Sequence, residues 1–283
     1  MPKPPRGPGW RLHLISLKLR GQSPEIPWLE IILLALVPWR LVQRWHKAER
    51  HISPSSDRVR MVRRDGAYVL WESPLGPFWA RYTDGFWIAF NFKEVVEDRV
   101  YDLDLVSVRA GDVVIDAGAH LGMFTRFALS RGAQKVVAFE ADSITLQYFR
   151  RTFADEIESG RVQVVNAAVW RANETLRFVH DPEHPGISRL SAEGSTEVQA
   201  VKIDDALATL GIEHVDFIKM DIEGAERHAL AGAARTIQRS RPRMTICSYH
   251  LLDDVQVLPE VVFGILPEHK VLRRRDHDYY YCA

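Results

Sequence analysis

The sequence predicts an α/β protein: a three-layer fold on a mostly parallel sheet, with an antiparallel C-terminal strand and a small N-terminal β/helical extension. Three observations carry this. From residue 113 onward, short apolar runs alternate with segments of helical periodicity. Val113–Ile115 breaks at Asp116 into a turn holding Gly118 and Gly122, and Leu121–Leu129 follows as a helix. Val136–Phe139 then ends in a carboxylate, Glu140, 24 residues after Asp116. Strand, glycine turn, helix, strand and acid make the first half of a nucleotide-binding unit, with its ligand at the strand C-termini.

The remaining elements follow in order. Residues 1–50 read as a basic, tryptophan-rich helical extension, and 52–58 as a linker. Residues 51–110 read as a small cap: aromatic strands between Tyr68 and Phe92, then a helix over Glu94–Leu105. The main domain spans 111–283. After Glu140 it continues with a helix over Ser143–Phe153, N-capped by Asp142, and a third strand over Val162–Val169. Glu174–His180 and Val198–Ile203 form an extra strand pair, and Asp204 and Asp205 read as N-caps for Ala206–Leu210. Asp216–Met220 is a strand ending at Asp221, and Ala225–Ile237 a helix. Met244–Tyr249 is a strand ending at His250, Asp253 and Asp254 cap a helix from Val255, and Lys270–Arg274 pairs with Tyr279–Cys282.

Charge discriminates between ligands for the glycine turn. A pyrophosphate wants bare backbone N–H groups and G-x-G-x-x-G spacing. Here the glycines are spaced G-x-x-x-G behind Asp116, whose carboxylate repels a diphosphate and suits the cationic amino group of S-adenosylmethionine. Glu140 is placed to accept hydrogen bonds from both ribose hydroxyls.

The motifs D-A-G-A-H-L-G, F-E-A-D, V-K-I-D-D-A-L, D-F-I-K-M-D-I-E-G-A-E and S-Y-H-L-L-D-D together resemble the FkbM-type methyltransferases over roughly residues 95–283. That family is a branch of the class I, Rossmann-like S-adenosylmethionine-dependent enzymes, typically O-methyltransferases of sugars and polyketides. The resemblance implies cofactor contacts at Asp116, Gly118, His120, Gly122 and Glu140. Ala141, Asp142, Asn166 and Ala167 are further candidates at the second and third strand ends. His120 stands where the family more often has Asn, and Ala141 where a Pro commonly follows the acid. Asp221 and Glu223 fall beside the methyl acceptor. His250 is the first candidate base, since imidazole titrates near neutral pH, and Asp221 the second. A hard cation such as Mg²⁺ on Asp221, Glu223 and Asp253 or Asp254 is chemically conceivable, but no metal-ligand spacing supports it and no metal ligand is assigned.

Composition narrows the partners. Lys+Arg and Asp+Glu both number 37, which argues against a nucleic-acid partner. Cys247 and Cys282 form neither a C-x-x-C nor a disulfide framework, so a cytoplasmic setting is expected. The N-terminal Ile31–Trp39 run is too short to span a bilayer. With Trp28, Trp39, Trp45, Arg40 and Arg44 around it, residues 26–46 fit either a segment on the inner membrane face or a helix packing on protein, a second subunit included. The expected activity is O-methylation of a sugar, glycolipid or polyketide-like hydroxyl. The alternatives are N-methylation of a small molecule or nucleobase, and a nicotinamide-dependent oxidoreductase.

Overall fold

The computed structural model describes residues 58–103, 105–179, 189–274 and 279–282. The expected N-terminal helix with its lipid-facing reading and most of the 52–58 linker lie outside the described residues. No helix among the described residues is long and apolar enough to cross a membrane.

The chain first forms an antiparallel meander of β1 (Arg60–Asp65), β2 (Tyr68–Ser73) and β3 (Gly76–Ala80). The sequence predicts further aromatic strands to Phe92, but Gly85–Phe92 is a helix, α1. It buries Ile88, Ala89 and Phe92, and Val95 continues the same helical face. Packing therefore overrides the β-preference of its aromatic residues. The expected helix over Glu94–Leu105 shrinks to one wide turn, Lys93–Glu97, before Arg99 enters a left-handed conformation (φ 52°).

The main sheet contains β4 (Val113–Ala117), β5 (Lys135–Phe139) and β6 (Val162–Val165) on one side of its switch point. On the other lie β11 (Phe217–Met220), β12 (Arg243–Cys247) and a closing hairpin of β13 (Val271–Arg274) and β14 (Tyr279–Cys282). The strand order is β13-β14-β12-β11-β4-β5-β6, parallel except at β14. This is the Rossmann-like class I arrangement expected from the sequence. The third strand is shorter than predicted: after Val165 the chain leaves the sheet. Ala168–Val169 (β7) joins β8 (Glu174–Val179), β9 (Arg189–Leu190) and β10 (Thr196–Val201) in a separate four-stranded sheet.

Strand alternation divides the apolar residues between two faces. Val114, Val136, Ala138 and Phe217 pack with Phe124 and Phe127 of α2 (Met123–Ser130) and Phe149 of α3 (Ser143–Thr152). Phe78, Ile88 and Phe92 belong to this same core, so the cap and the sheet fold as one body. Short α4 (Ala154–Glu158) follows α3. On the opposite face, Ile115, Val137, Ile218 and Ile246 pack with Leu207 of α5 (Ile203–Thr209), Leu230 of α6 (Glu226–Gly232), Ile237 of α7 (Ala234–Ser240) and Leu258 of α8 (Asp254–Ile265). The single helix predicted over Ala225–Ile237 is thus two, broken at Ala233 (φ −108°, ψ 5°). Asp204 does not cap its own helix. It accepts from the N–H groups of Arg235 and Thr236 and caps α7.

One charged pair lies inside this apolar frame. Lys219 and Asp116 are register partners on adjacent strands, 4% and 0% exposed. Lys219 Nζ donates to Asp116 Oδ1 at 3.1 Å and to the carbonyls of Ala117 (3.3 Å) and Gly118 (2.7 Å). Thr125 donates to the other Asp116 oxygen at 2.7 Å. Lys219→Met is expected to lower the unfolding free energy by about 3–5 kcal/mol, because it leaves a buried carboxylate unpaired. Lys219→Met with Asp116→Leu should recover most of that loss. Urea unfolding of the three proteins checks this, and an unchanged midpoint in the single variant contradicts it.

Candidate functional site

Gly118 follows β4, Glu140 follows β5 and Asp221 follows β11, so the three meet where the strand order reverses, the place an open α/β sheet leaves for a ligand. Gly118 is required there. Its φ is +80°, and a Cβ would fall 1.9 Å from the backbone oxygen of Asp221. His120 also adopts a left-handed conformation (φ 50°), which histidine tolerates, as Asn does, better than most residues. The Asn-to-His departure is therefore compatible with the turn.

Two chambers open at this point and share Gly118, His120, Asp221 and Glu223. The first, about 570 Å³ including its mouth, is lined by Glu140, Ala141, Ala167, Phe178 and Ile222. The second, about 1120 Å³ including its mouth, is walled by Trp87, Phe90 and Asn91 of α1 and by Glu94, Tyr101, Lys219 and Tyr249.

At the first chamber, Glu140 Oε2 accepts from His120 N (2.7 Å) and Oε1 from Asp142 N (2.8 Å). Each oxygen keeps a further lone pair. Burial pushes the Glu140 carboxyl up to about 7, against the pull of those two backbone donors. The His120 imidazole is pushed down to about 4, by burial first, so it is neutral and accepts from Asn91 Nδ2 at 3.4 Å.

The second chamber concentrates acid. Burial pushes Glu94 up to about 8, helped by the neighbouring charge of Asp221. Burial works against ionisation of Asp221 too, but the Lys219 and His250 cations and the Tyr101 hydroxyl, which donates to Oδ2, hold it below the usual carboxylate range. Tyr249 donates to Asp221 Oδ1 at 3.4 Å. His250 lies behind these groups. Its Nδ1 is 2.9 Å from Glu226 Oε1, and its Nε2 is 3.5 Å from both Asp221 Oδ1 and Glu223 Oε1. Burial disfavours the imidazolium, yet the carboxylates of Glu223, Glu226 and Asp221 raise it to about 11.

The structure thus brings Gly118, His120, Glu140, Ala141, Ala167, Asp221 and Glu223 to the chamber walls and leaves five candidates off them. Asp116, expected to face a cationic ligand group, is consumed by Lys219. Gly122 (φ +89°) is buried under Phe153, whose ring carbon would lie 2.2 Å from a Cβ there. Asp142 caps α3, accepting from Ile144 N and Thr145 Oγ1. Asn166 donates to the carbonyls of Glu140 and Ala141 and shapes the loop from outside. His250 lies behind the chamber walls, and the carboxylates of Glu223, Glu226 and Asp221 around it oppose loss of its second proton, so the base role expected of it is poorly matched to its surroundings. Asp253 and Asp254 pair with Arg227 and are withdrawn from any ligand set.

Sequence reasoning missed Trp87, Phe90, Asn91, Glu94 and Tyr101. The buried positions Ile88, Ala89, Phe92 and Val95 carry a helical spacing that could have placed them on one element. No local motif marks Glu94 as a site residue.

Comparison with known proteins identifies the family. The methyltransferase FkbM domain matches residues 116–279. The chain is 27% identical over 205 residues to the 31-O-demethyl-FK506 methyltransferase FkbM of Streptomyces tacrolimicus, covering 61% of this chain and 78% of that protein. It is 25% identical over 177 residues to the methyltransferase sdnD of Sordaria araneosa, covering 50% and 68%. A solved FkbM methyltransferase from Methylobacillus flagellatus aligns over 98% of this chain and 71% of its own, with 18% identity and a TM-score of 0.49. The oxidoreductase alternative is therefore set aside: the chain belongs to the FkbM family and is a methyltransferase.

Proposed function

We propose that this chain is an S-adenosylmethionine-dependent O-methyltransferase acting on a hydroxyl of a sugar, glycolipid or polyketide-like small molecule. The observation that carries the reading is the pair of chambers joined at Gly118, His120, Asp221 and Glu223. One ends in a carboxylate suited to a ribose, and the other is lined with aromatic rings and acids. The relative whose name specifies an O-demethyl substrate favours oxygen as the acceptor atom. Trp87, Phe90 and Tyr249 offer flat apolar faces to a sugar or macrolide ring.

The fit to the cofactor rests on particular atoms. Glu140 retains a free lone pair on each oxygen for ribose hydroxyls, and Ala141, Ala167 and Phe178 supply an apolar slot for the base. Gly118 and Asp221 line both chambers, and the missing Cβ of Gly118 is what lets the two backbones meet at the waist. The cofactor supplies an electrophilic methyl group on a sulfonium. The chain must hold an acceptor oxygen in line with that methyl and exclude competing geometries, a positional effect that supplies much of the rate.

A sugar hydroxyl also needs a proton acceptor. Asp221, held below the usual carboxylate range, is a weak base and suits orientation of the hydroxyl. His250 as a cation balances Asp221 and Glu223. Burial raises the carboxyls of both Glu94 and Glu223 in this chamber, but Glu223 faces the His250 cation, and we assign the base role to Glu94. Its active form is ionised, so turnover should rise as pH climbs through about 8.

Three outcomes test this reading. Calorimetry with S-adenosylhomocysteine should show binding where NAD gives none, and Glu140→Gln should weaken it about tenfold, roughly 1.4 kcal/mol. Absence of S-adenosylhomocysteine binding removes the proposal. Glu94→Gln should lower kcat about 10²-fold, leave cofactor affinity unchanged and abolish the rise near pH 8; a native profile in that variant returns the base role to another group. Asp221→Asn should lose transfer while retaining S-adenosylhomocysteine, and native turnover would show that Asp221 does not orient the acceptor.

A further inference from the structure

Asp221, Glu223 and His250 have a geometry that methyl transfer alone does not require. The His250 side chain is only 7% exposed, and its Nδ1 is matched to Glu226 Oε1. Its Nε2 is buried, has no hydrogen-bond partner, and faces Asp221 Oδ1 and Glu223 Oε1 at 3.5 Å each. One ligand atom from each of the three residues lies within 4.8 Å of the others. Donors about 2.1 Å from a tetrahedral ion are separated by about 3.4 Å. The cluster therefore has the spacing of a set of donors around a common centre, with a buried nitrogen aimed into it.

We infer that Asp221, Glu223 and His250 form a binding site for a divalent transition-metal ion of the manganese or zinc class, set in the wall of the acceptor chamber. Two carboxylate oxygens and one imidazole nitrogen suit such ions better than calcium, which takes 6–8 oxygen ligands. The surroundings supply the orienting contacts that metal sites use. Glu226 accepts the Nδ1–H of His250 and turns Nε2 inward, where a bound ion would take the place of the Nε2 proton that the metal-free imidazolium carries, and Glu226 is fixed in turn by accepting from Ile222 N at 3.0 Å. Tyr101 occupies Asp221 Oδ2, while Oδ1, which accepts only the long 3.4 Å bond from Tyr249, faces the cluster. The side chains of Asp221 and Glu223 are 20% and 25% exposed, so an ion can enter from the crevice.

The chemical role of the ion, though not its binding, rests on the proposed O-methylation. An ion held by Asp221, Glu223 and His250 would supply Lewis acidity that makes a hydroxyl beside it easier to ionise. The hydroxyl proton would pass to Glu94 as the oxygen forms its bond to the methyl carbon and the carbon–sulfur bond breaks, the sulfonium leaving as a neutral thioether.

The test is Mn²⁺ titration of the chelator-stripped full chain, followed by electron paramagnetic resonance. The expected result is a single bound Mn²⁺ showing nitrogen coupling from one imidazole. His250→Ala should lose that coupling, and Glu223→Gln, whose side chain lies at the chamber wall, should weaken binding at least tenfold with unchanged circular dichroism. Asp253→Asn should bind as the native chain does. Failure of the native chain to bind Mn²⁺ or Zn²⁺, or equal affinity in Glu223→Gln, overturns the site and leaves His250 an ion-paired imidazolium. S-adenosylhomocysteine calorimetry on the same preparation separates the two claims. Binding of the nucleoside without Mn²⁺ removes the metal site alone, whereas Mn²⁺ bound without the nucleoside removes the methyl-transfer reading and leaves the site standing.

Discussion

The ion pair between Lys219 and Asp116 is the constraint on which the site depends. A lysine in the middle of a four-residue strand buried throughout is costly unless its charge is matched. Here Asp116 matches it from the neighbouring strand, while the carbonyls of Ala117 and Gly118 take its remaining hydrogens. These bonds fasten the end of β4 to β11. They hold Gly118 where its missing side chain lets the backbone of Asp221 approach. The waist between the two chambers therefore follows from a charge pair that touches neither chamber through Asp116.

The same lysine sets the electrostatics beyond it. It stands over the ring of Tyr101 at 5.4 Å, and Tyr101 donates to Asp221. Its charge helps keep Asp221 ionised in a buried position. Asp221, Glu223 and Glu226 in turn surround His250, whose ring is an acceptor's neighbour rather than a free base. Glu94 is reached by neither; the pull of Lys93 is outweighed there by burial and by the fields of Asp221 and Asp98. The division between a permanently charged acid and a titrating one arises from which of them Lys219 and His250 can reach, in the way that paired carboxylates acquire different roles elsewhere.

The main sheet was legible in the sequence because parallel strands are buried on both faces and read as continuous apolar runs. The glycine turn, the acid ending β5, the N-cap at Asp142 and the C-terminal hairpin carry local signatures too. What escaped is non-local. Asp116 looked like a ligand-facing acid because its partner lies 103 residues away. His250 looked like a neutral-range base because the acids that charge it come from the turn after β11 and from α6. The helix Gly85–Phe92 was mistaken for strands because Phe86, Trp87 and Phe90 favour β structure, while the burial of Ile88, Ala89 and Phe92 decides otherwise. Glu94, on the turn that follows, was missed with it.

The central claim is that the crevice at the β4–β5–β11 switch point holds S-adenosylmethionine with its ribose on Glu140 and its reactive end at the Asp221 waist. A crystal structure of the chain with S-adenosylhomocysteine tests it most directly. The account predicts both ribose hydroxyls on the Glu140 carboxylate, the base beside Ala167 and Phe178, and the sulfur facing the chamber lined by Glu94 and Tyr101. Density for the nucleoside elsewhere, or a ribose out of reach of Glu140, would contradict it.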